Sequence, residues 1–210
     1  MEKILEKMME ERVVAVIRED NAEIARRIAD AAIAGGIRFV EITFTIPDAA
    51  ALISGLVEAH RGEEVYIGAG TVLDAQTARL AILAGAEFIV SPTTDPDVIT
   101  LCNRYQVLSA CGAFTPNEVK YAMECGARII KVFPASVCNP SYLKALHGPF
   151  PQAKFMVTGS MHEDSVLDWI ENGASVVGIG GILAEPAHAG DYAAVEENAR
   201  KFRQIVVSKI

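Results

Sequence analysis

"RVVAVIREDNAEIARRIADAAIAGGIRFVEIT", Arg12 to Thr43, is the stretch whose reading decides the fold. It opens with "RVVAVI", Arg12 to Ile17, a near-continuous apolar run of the kind seen in parallel strands buried on both faces. "NAEIARRIADAAIAGG" follows with helical spacing. Ile24, Ile28 and Ala31 share one face, and Gly35 and Gly36 stop the helix. "IRFVEIT" then reads as a second strand. Strand, helix, strand within about 30 residues is a parallel βαβ unit.

Working outward, the same alternation fills the chain. Pro47 and Asp48 open a helix in "IPDAAALISGLVEAH". "EVYIGA" is a third strand, followed by a helix in "DAQTARLAILAGA" with Asp74 as N-cap. "EFIV" pairs with "DPDVITLCNRY", "VLSACGA" with "TPNEVKYAMECGA", and "RIIKVF" with "SYLKALHGPF". "KFMVTG" pairs with "HEDSVLDWIENGA". "SVVGIGGIL" pairs with a closing helix from about Asp191 to Ser208. Eight βα units behind a short N-terminal helix predict one (β/α)8 TIM barrel over residues 1–210. A doubly wound open sheet is the competing arrangement, but it gives no reason for polar residues at so many strand ends.

Composition agrees with a packed enzyme-sized domain. Of 210 residues, 51% are hydrophobic and 22% charged, enough to build a core. A net charge of −8 argues against nucleic acid as a partner. No stretch approaches the roughly 20 apolar residues of a membrane span, and the N-terminus lacks the pattern of a signal peptide. Cys102, Cys111, Cys125 and Cys138 form no CxxC pair and have no metal-ligand spacing. They read as free thiols in a reducing cytoplasm, so a soluble cytoplasmic protein is expected.

In such a barrel the site lies at the C-terminal ends of the strands. Arg18, Glu41, Thr43, Thr71, Ser91, Pro92, Lys131 and Phe133 stand there. Strand side chains alternate between faces. Phe39, Glu41 and Thr43 therefore share one face, and Ile129, Lys131 and Phe133 share another. If both point inward, one lysine and one carboxylate meet at the barrel mouth. A structural ion pair is the plainer explanation of such a pair. The other explanation is chemical. A free lysine amine attacks carbonyls to form a Schiff base, and apolar surroundings favour the uncharged amine. A neighbouring carboxyl group then shuttles the protons that carbinolamine dehydration requires.

The seventh and eighth strands end in "TGS", Thr158 to Ser160, and "GIGG", Gly178 to Gly181. Loops at these two strands are the usual phosphate seat of the barrel. Tight turns that need glycine are the alternative. His60, His147, His162 and His188 read as surface or loop residues, and Trp169 as core packing.

"AVIR", "GGIRFVEIT", "IGAGTVL", "AGAEFIVSP", "FTPNEV", "KVFPAS", "LKALHGPFP" and "VTGS" occur in order from Val13 to Leu183. Together they resemble the class I 2-keto-3-deoxy-6-phosphogluconate (KDPG) and 4-hydroxy-2-oxoglutarate aldolases. The resemblance implies a barrel, a homotrimer, no metal or other cofactor, and a 2-keto-3-deoxy sugar acid phosphate as substrate. It implies cleavage to pyruvate and glyceraldehyde 3-phosphate. It makes Lys131 the Schiff-base lysine and Glu41 the acid/base. It puts Arg18, Thr71, Pro92 and Phe133 in the substrate pocket, and Thr158, Gly159, Gly180 and Gly181 at the phosphate end.

The chain also departs from the family pattern. Thr45 of "EITFTI" stands where relatives carry an arginine for the substrate carboxylate, so that role is expected of Thr71, Thr43 or Arg18. Ser160 replaces a glycine, and Gly181 stands where a serine is common, as though a hydroxyl had moved between the phosphate loops. Cys111 replaces a proline. Related sugar acids, or hydroxy-oxoglutarate, are alternative substrates. A phosphosugar isomerase or decarboxylase using Glu41 as base, and a non-catalytic sensor of sugar-acid phosphates, are alternative functions.

Overall fold

The computed structural model describes residues 1–159 and 161–207. Strands β1 Val13–Ile17, β2 Phe39–Thr43, β3 Tyr66–Gly70 and β4 Phe88–Val90 form the first half of the sheet. Strands β5 Leu108–Ala113, β6 Ile129–Val132, β7 Phe155–Thr158 and β8 Ala174–Ile179 form the second. Each strand pairs in parallel with its sequence neighbour, and β1 also pairs with β8, closing the barrel. The predicted (β/α)8 barrel is the observed fold.

Helix α1, Glu2–Glu11, precedes β1. Helices α2 Ala22–Ala34, α3 Ala49–Ala59, α4 Ala75–Leu83 and α5 Pro96–Tyr105 follow β1 to β4. Helices α6 Pro116–Glu124, α7 Pro140–His147 and α8 Glu163–Glu171 follow β5 to β7. After β8 come a short helix α9, Gly181–Ala184, a 3-10 turn, Glu185–Ala189, and α10, Tyr192–Val207.

Local signals set most helix starts. Asn21 accepts hydrogen bonds from the Glu23 and Ile24 amides, and Asp74 accepts one from Thr77. Thr115 and Glu118 form a reciprocal capping box at α6. Two expectations change. Pro47 and Asp48 do not form the first turn of α3, which begins at Ala49: Asp48 stands at the N-cap position with φ 54 and its side chain accepts no cap bond. The apolar run "GIGGIL" is not all strand, because the chain turns at Gly180 and Gly181–Ala184 is helical.

The strand alternation divides the core in two. Outward-facing residues such as Val13, Val40, Ile67 and Ile130 pack with the helices. Inward-facing Val14, Phe39, Tyr66, Phe88, Leu108, Ile129, Met156 and Val176 fill the barrel, and Leu5 and Met8 of α1 pack against them. Phe39 stacks on Tyr66 at 4.6 Å between centroids and meets Phe88 edge-on at 5.7 Å. Full burial of a side chain this size is worth about 1.5 to 3 kcal/mol. The apolar plug confines the polar inward-facing residues to the opposite end of the barrel.

Candidate active site

Glu41 follows Phe39 on the inward face of β2, and Lys131 follows Ile129 on that of β6. Glu41 is 1% exposed and Lys131 5%. Nζ of Lys131 lies 3.9 Å from Oε1 of Glu41, and 5.2 Å from the centre of the Phe133 ring. The pair is close enough for charge attraction and too long for a hydrogen bond. Oε2 of Glu41 is buried with no hydrogen-bond partner among the described residues. Burial pushes the Glu41 carboxyl above the usual carboxylate range, against the lowering pull of Lys131 and Arg18. A structural ion pair would need its remaining lone pairs satisfied to offset desolvation. This one leaves an oxygen unpaired, and a carboxyl held toward its protonated form beside a primary amine can exchange protons with a bound molecule.

Arg18 extends from the end of β1 across the β2 and β3 ends. Its Nη1 donates to Thr45 Oγ1 at 3.2 Å and its Nη2 to Thr71 Oγ1 at 2.9 Å. Thr45 Oγ1 also lies 2.9 Å from Thr43 Oγ1. Thr71 has φ 54, an uncommon conformation for a β-branched residue. The expected carboxylate set of Arg18, Thr43 and Thr71 is therefore one connected group. Thr45 belongs to it as a prop for the guanidinium, a role the sequence did not signal beyond marking the position.

Thr158, Gly159, Gly180 and Gly181 line one cavity of about 290 Å³, with Val16, Met161, His162 and Ile182. Gly159 has φ 119, where a side chain would be strained. Thr158 points into the barrel with Met156, and its buried Oγ1 has no partner among the described residues. A Cβ on Gly178 would approach that oxygen to 2.6 Å. Ser160, the remaining residue expected here, lies outside the described residues.

Pro92 and Phe133 line a third part of the rim, a cavity of about 250 Å³ shared with Thr93, Gly112 and Tyr121. A Cβ on Gly112 would overlap the Pro92 carbonyl, so this loop depends on a glycine in β5. Cys111 beside it faces away from the barrel interior and is buried, which pushes its thiol up to about 12. The histidines divide. His162 lines the glycine cavity, whereas His60 is held between Asp30 and Glu63. The His147 ring packs edge-on against Phe155 and bonds the Gly173 carbonyl, so it fixes helix to barrel rather than lying free on the surface.

Comparison with known proteins extends this picture. A family described as "KDPG and KHG aldolase" matches residues 4–198. A 2-dehydro-3-deoxy-phosphogluconate aldolase of Treponema pallidum is 33% identical over 207 residues, covering 97% of both chains. A 2-dehydro-3-deoxy-6-phosphogalactonate aldolase of Escherichia coli K12 is 32% identical over 173 residues, 81% of this chain and 83% of that one. The crystal structure of the Zymomonas mobilis ZM4 2-keto-3-deoxy-6-phosphogluconate aldolase with 3-phosphoglycerate superposes with a TM-score of 0.83. It is 27% identical, and the match covers 95% of this chain and 94% of that one. With the family matched over nearly its whole length, this chain belongs to the KDPG and KHG aldolases and is a carbon–carbon lyase.

Proposed function

We propose that the protein is a Schiff-base aldolase that cleaves 2-keto-3-deoxy-6-phosphogluconate to pyruvate and glyceraldehyde 3-phosphate. The observation that carries this reading is the buried Lys131–Glu41 pair at 3.9 Å, with one Glu41 oxygen unpartnered. The Lys131 amine adds to the C2 carbonyl, giving a carbinolamine. Glu41 donates a proton to the departing hydroxyl, and water leaves as the iminium forms. The iminium draws the electrons of the C3–C4 bond while the C4 hydroxyl loses its proton, which releases the aldehyde and leaves an enamine. A proton returns to C3, and water hydrolyses the iminium to free pyruvate and the amine.

The rim divides the substrate between two ends. Arg18, positioned by Thr45 and Thr71, serves the carboxylate with a planar set of donors. Gly159, Gly180 and Gly181 offer backbone N–H groups to the phosphate in their cavity. This second end favours a phosphorylated six-carbon acid over 4-hydroxy-2-oxoglutarate. The similarity to a phosphogalactonate aldolase supports the C4 epimer as a second substrate.

The working protein is a cytoplasmic homotrimer in this reading. Exposed Leu73, Leu80, Leu83 and Val137 supply apolar surface that a second copy would cover. No helix among the described residues is long and apolar enough to cross a membrane.

Borohydride reduction in the presence of pyruvate tests the chemistry. Mass spectrometry should find the reduced pyruvyl adduct on Lys131. An unmodified Lys131 in protein that still turns over would favour a base-catalysed isomerase or decarboxylase instead.

A further inference from the structure

We propose that Glu19 and His188 are positioning residues. They form a clasp that holds the glycine loop after β8 in register with Arg18, and so set the preference for phosphorylated over unphosphorylated substrate. The inference rests on the two-ended substrate reading above.

Glu19 is the residue after Arg18. Its carboxylate is 11% exposed, whereas the His188 ring is 64% exposed. His188 Nε2 lies 3.2 Å from Glu19 Oε1, a hydrogen bond between segments far apart in the chain. A nearly buried carboxylate needs a partner, and among the described residues His188 is the partner of Glu19.

His188 is tied to Gly180 and Gly181 by a chain of turns. The Gly180 carbonyl accepts from the Leu183 and Ala184 amides, and α9 runs directly into the 3-10 turn that carries His188. Ala184 and Ala187 are buried, which seats the whole segment on the barrel. A cavity of about 220 Å³ lies between the two ends, lined by Arg18, Glu19, Gly180, Gly181 and His188. It shares Val16, Gly180 and Gly181 with the cavity of Thr158 and Gly159. The two cavities thus adjoin along the glycine loop, and the clasp ties the segment that follows this loop to the end of β1.

The arrangement has a second consequence. An uncovered Glu19 carboxylate beside an anion-binding loop would repel a phosphate. The imidazole covers it. Loss of His188 both frees the loop and bares the charge, whereas Glu19→Gln removes the charge and keeps an acceptor for His188. His188→Gln keeps a donor for Glu19.

The test compares 2-keto-3-deoxy-6-phosphogluconate with 2-keto-3-deoxygluconate in wild type and these three variants. For His188→Ala, KM for the phosphorylated acid should rise about tenfold with kcat held within about twofold. Kinetics on the unphosphorylated acid should not change. His188→Gln should recover most of the loss, and Glu19→Gln should show little of it. Equal losses on both substrates, or no recovery in His188→Gln, overturn the clasp. So does a Glu19→Gln loss matching that of His188→Ala, since that variant keeps an acceptor for His188 and bares no charge. Pyruvate trapping on Lys131 in the same proteins separates the two claims. Intact trapping with an unmoved substrate ratio overturns the clasp alone. Failed trapping in wild type overturns the aldolase reading and the clasp with it.

Discussion

Gly70 and Glu41 occupy adjoining positions on the inner wall of the barrel, and a Cβ added to Gly70 would overlap Oε1 and Cδ of Glu41. The carboxylate reaches Lys131 because the neighbouring strand has no side chain there. Gly70→Ala should therefore move the carboxylate rather than unfold the barrel. We expect kcat to fall about 100-fold, since a displacement near 1 Å can cost that much. The circular dichroism spectrum should be unchanged. A Gly70→Ala protein with wild-type kcat would show that the Glu41 position does not matter.

Lys131→Ala should abolish both turnover and borohydride trapping while the barrel still folds, because Glu41 can take up a proton and lose its charge. Steady-state kinetics and a thermal melt check the two halves. Appreciable retro-aldol activity in the variant would sink the Schiff-base mechanism.

Glu41→Gln should still form the Schiff base, but with kcat lowered about 10²- to 10⁴-fold. Its stability should also respond differently to pH. Burial raises the Glu41 carboxyl above its ordinary 4.5, so the folded state keeps a proton that the unfolded chain has released. The stability this contributes is complete below the unfolded value and is lost as pH rises through the folded value. Glutamine does not ionise, so the melting temperature of Glu41→Gln should gain on wild type as pH rises above the ordinary 4.5 and through the raised folded value. A difference constant with pH would mean that the carboxyl titrates alike in both states.

Arg18→Lys keeps the charge and loses the planar fork that now engages Thr45 and Thr71. KM for pyruvate in the aldol direction should rise about 10-fold or more, with a smaller effect on kcat. Thr45→Arg would set a second guanidinium against the first, so it should weaken pyruvate binding too. Improved pyruvate binding in Thr45→Arg would show that Arg18 does not already fill the carboxylate role.

Thr158→Val replaces a buried hydroxyl that has no partner among the described residues by a methyl of similar size. Without a hydrogen bond to lose, the fold should be unchanged or steadier by about 1 kcal/mol in denaturant titration. Turnover of the six-carbon substrate should nonetheless fall about tenfold if the hydroxyl bonds to it. A destabilised variant would mean that the oxygen is satisfied within the protein.

Local regularities made the barrel legible before any coordinates. The period of two along "FVEIT" and "RIIKVF" put Glu41 on one face with Phe39 and Thr43, and Lys131 on one face with Ile129 and Phe133, and Asp74 marked a helix start through a short-range hydrogen bond from the Thr77 amide. These signals depend on residues a few positions apart, so the chain carries them by itself. The meeting of Lys131 with Glu41 across the barrel depends on closure and strand register, which no single segment encodes. The same holds for Arg18 between Thr45 and Thr71, for Glu19 beneath His188, and for the space that Gly70 leaves to Glu41. Pro47 and Asp48 show the limit in reverse: their residue types suit a first helical turn, yet α3 begins at Ala49 and Asp48 has a left-handed backbone. Sequence alone determined which groups stand at the barrel mouth. Only the closed sheet decided which of them touch, because the distances between strand ends are set by packing of the whole ring.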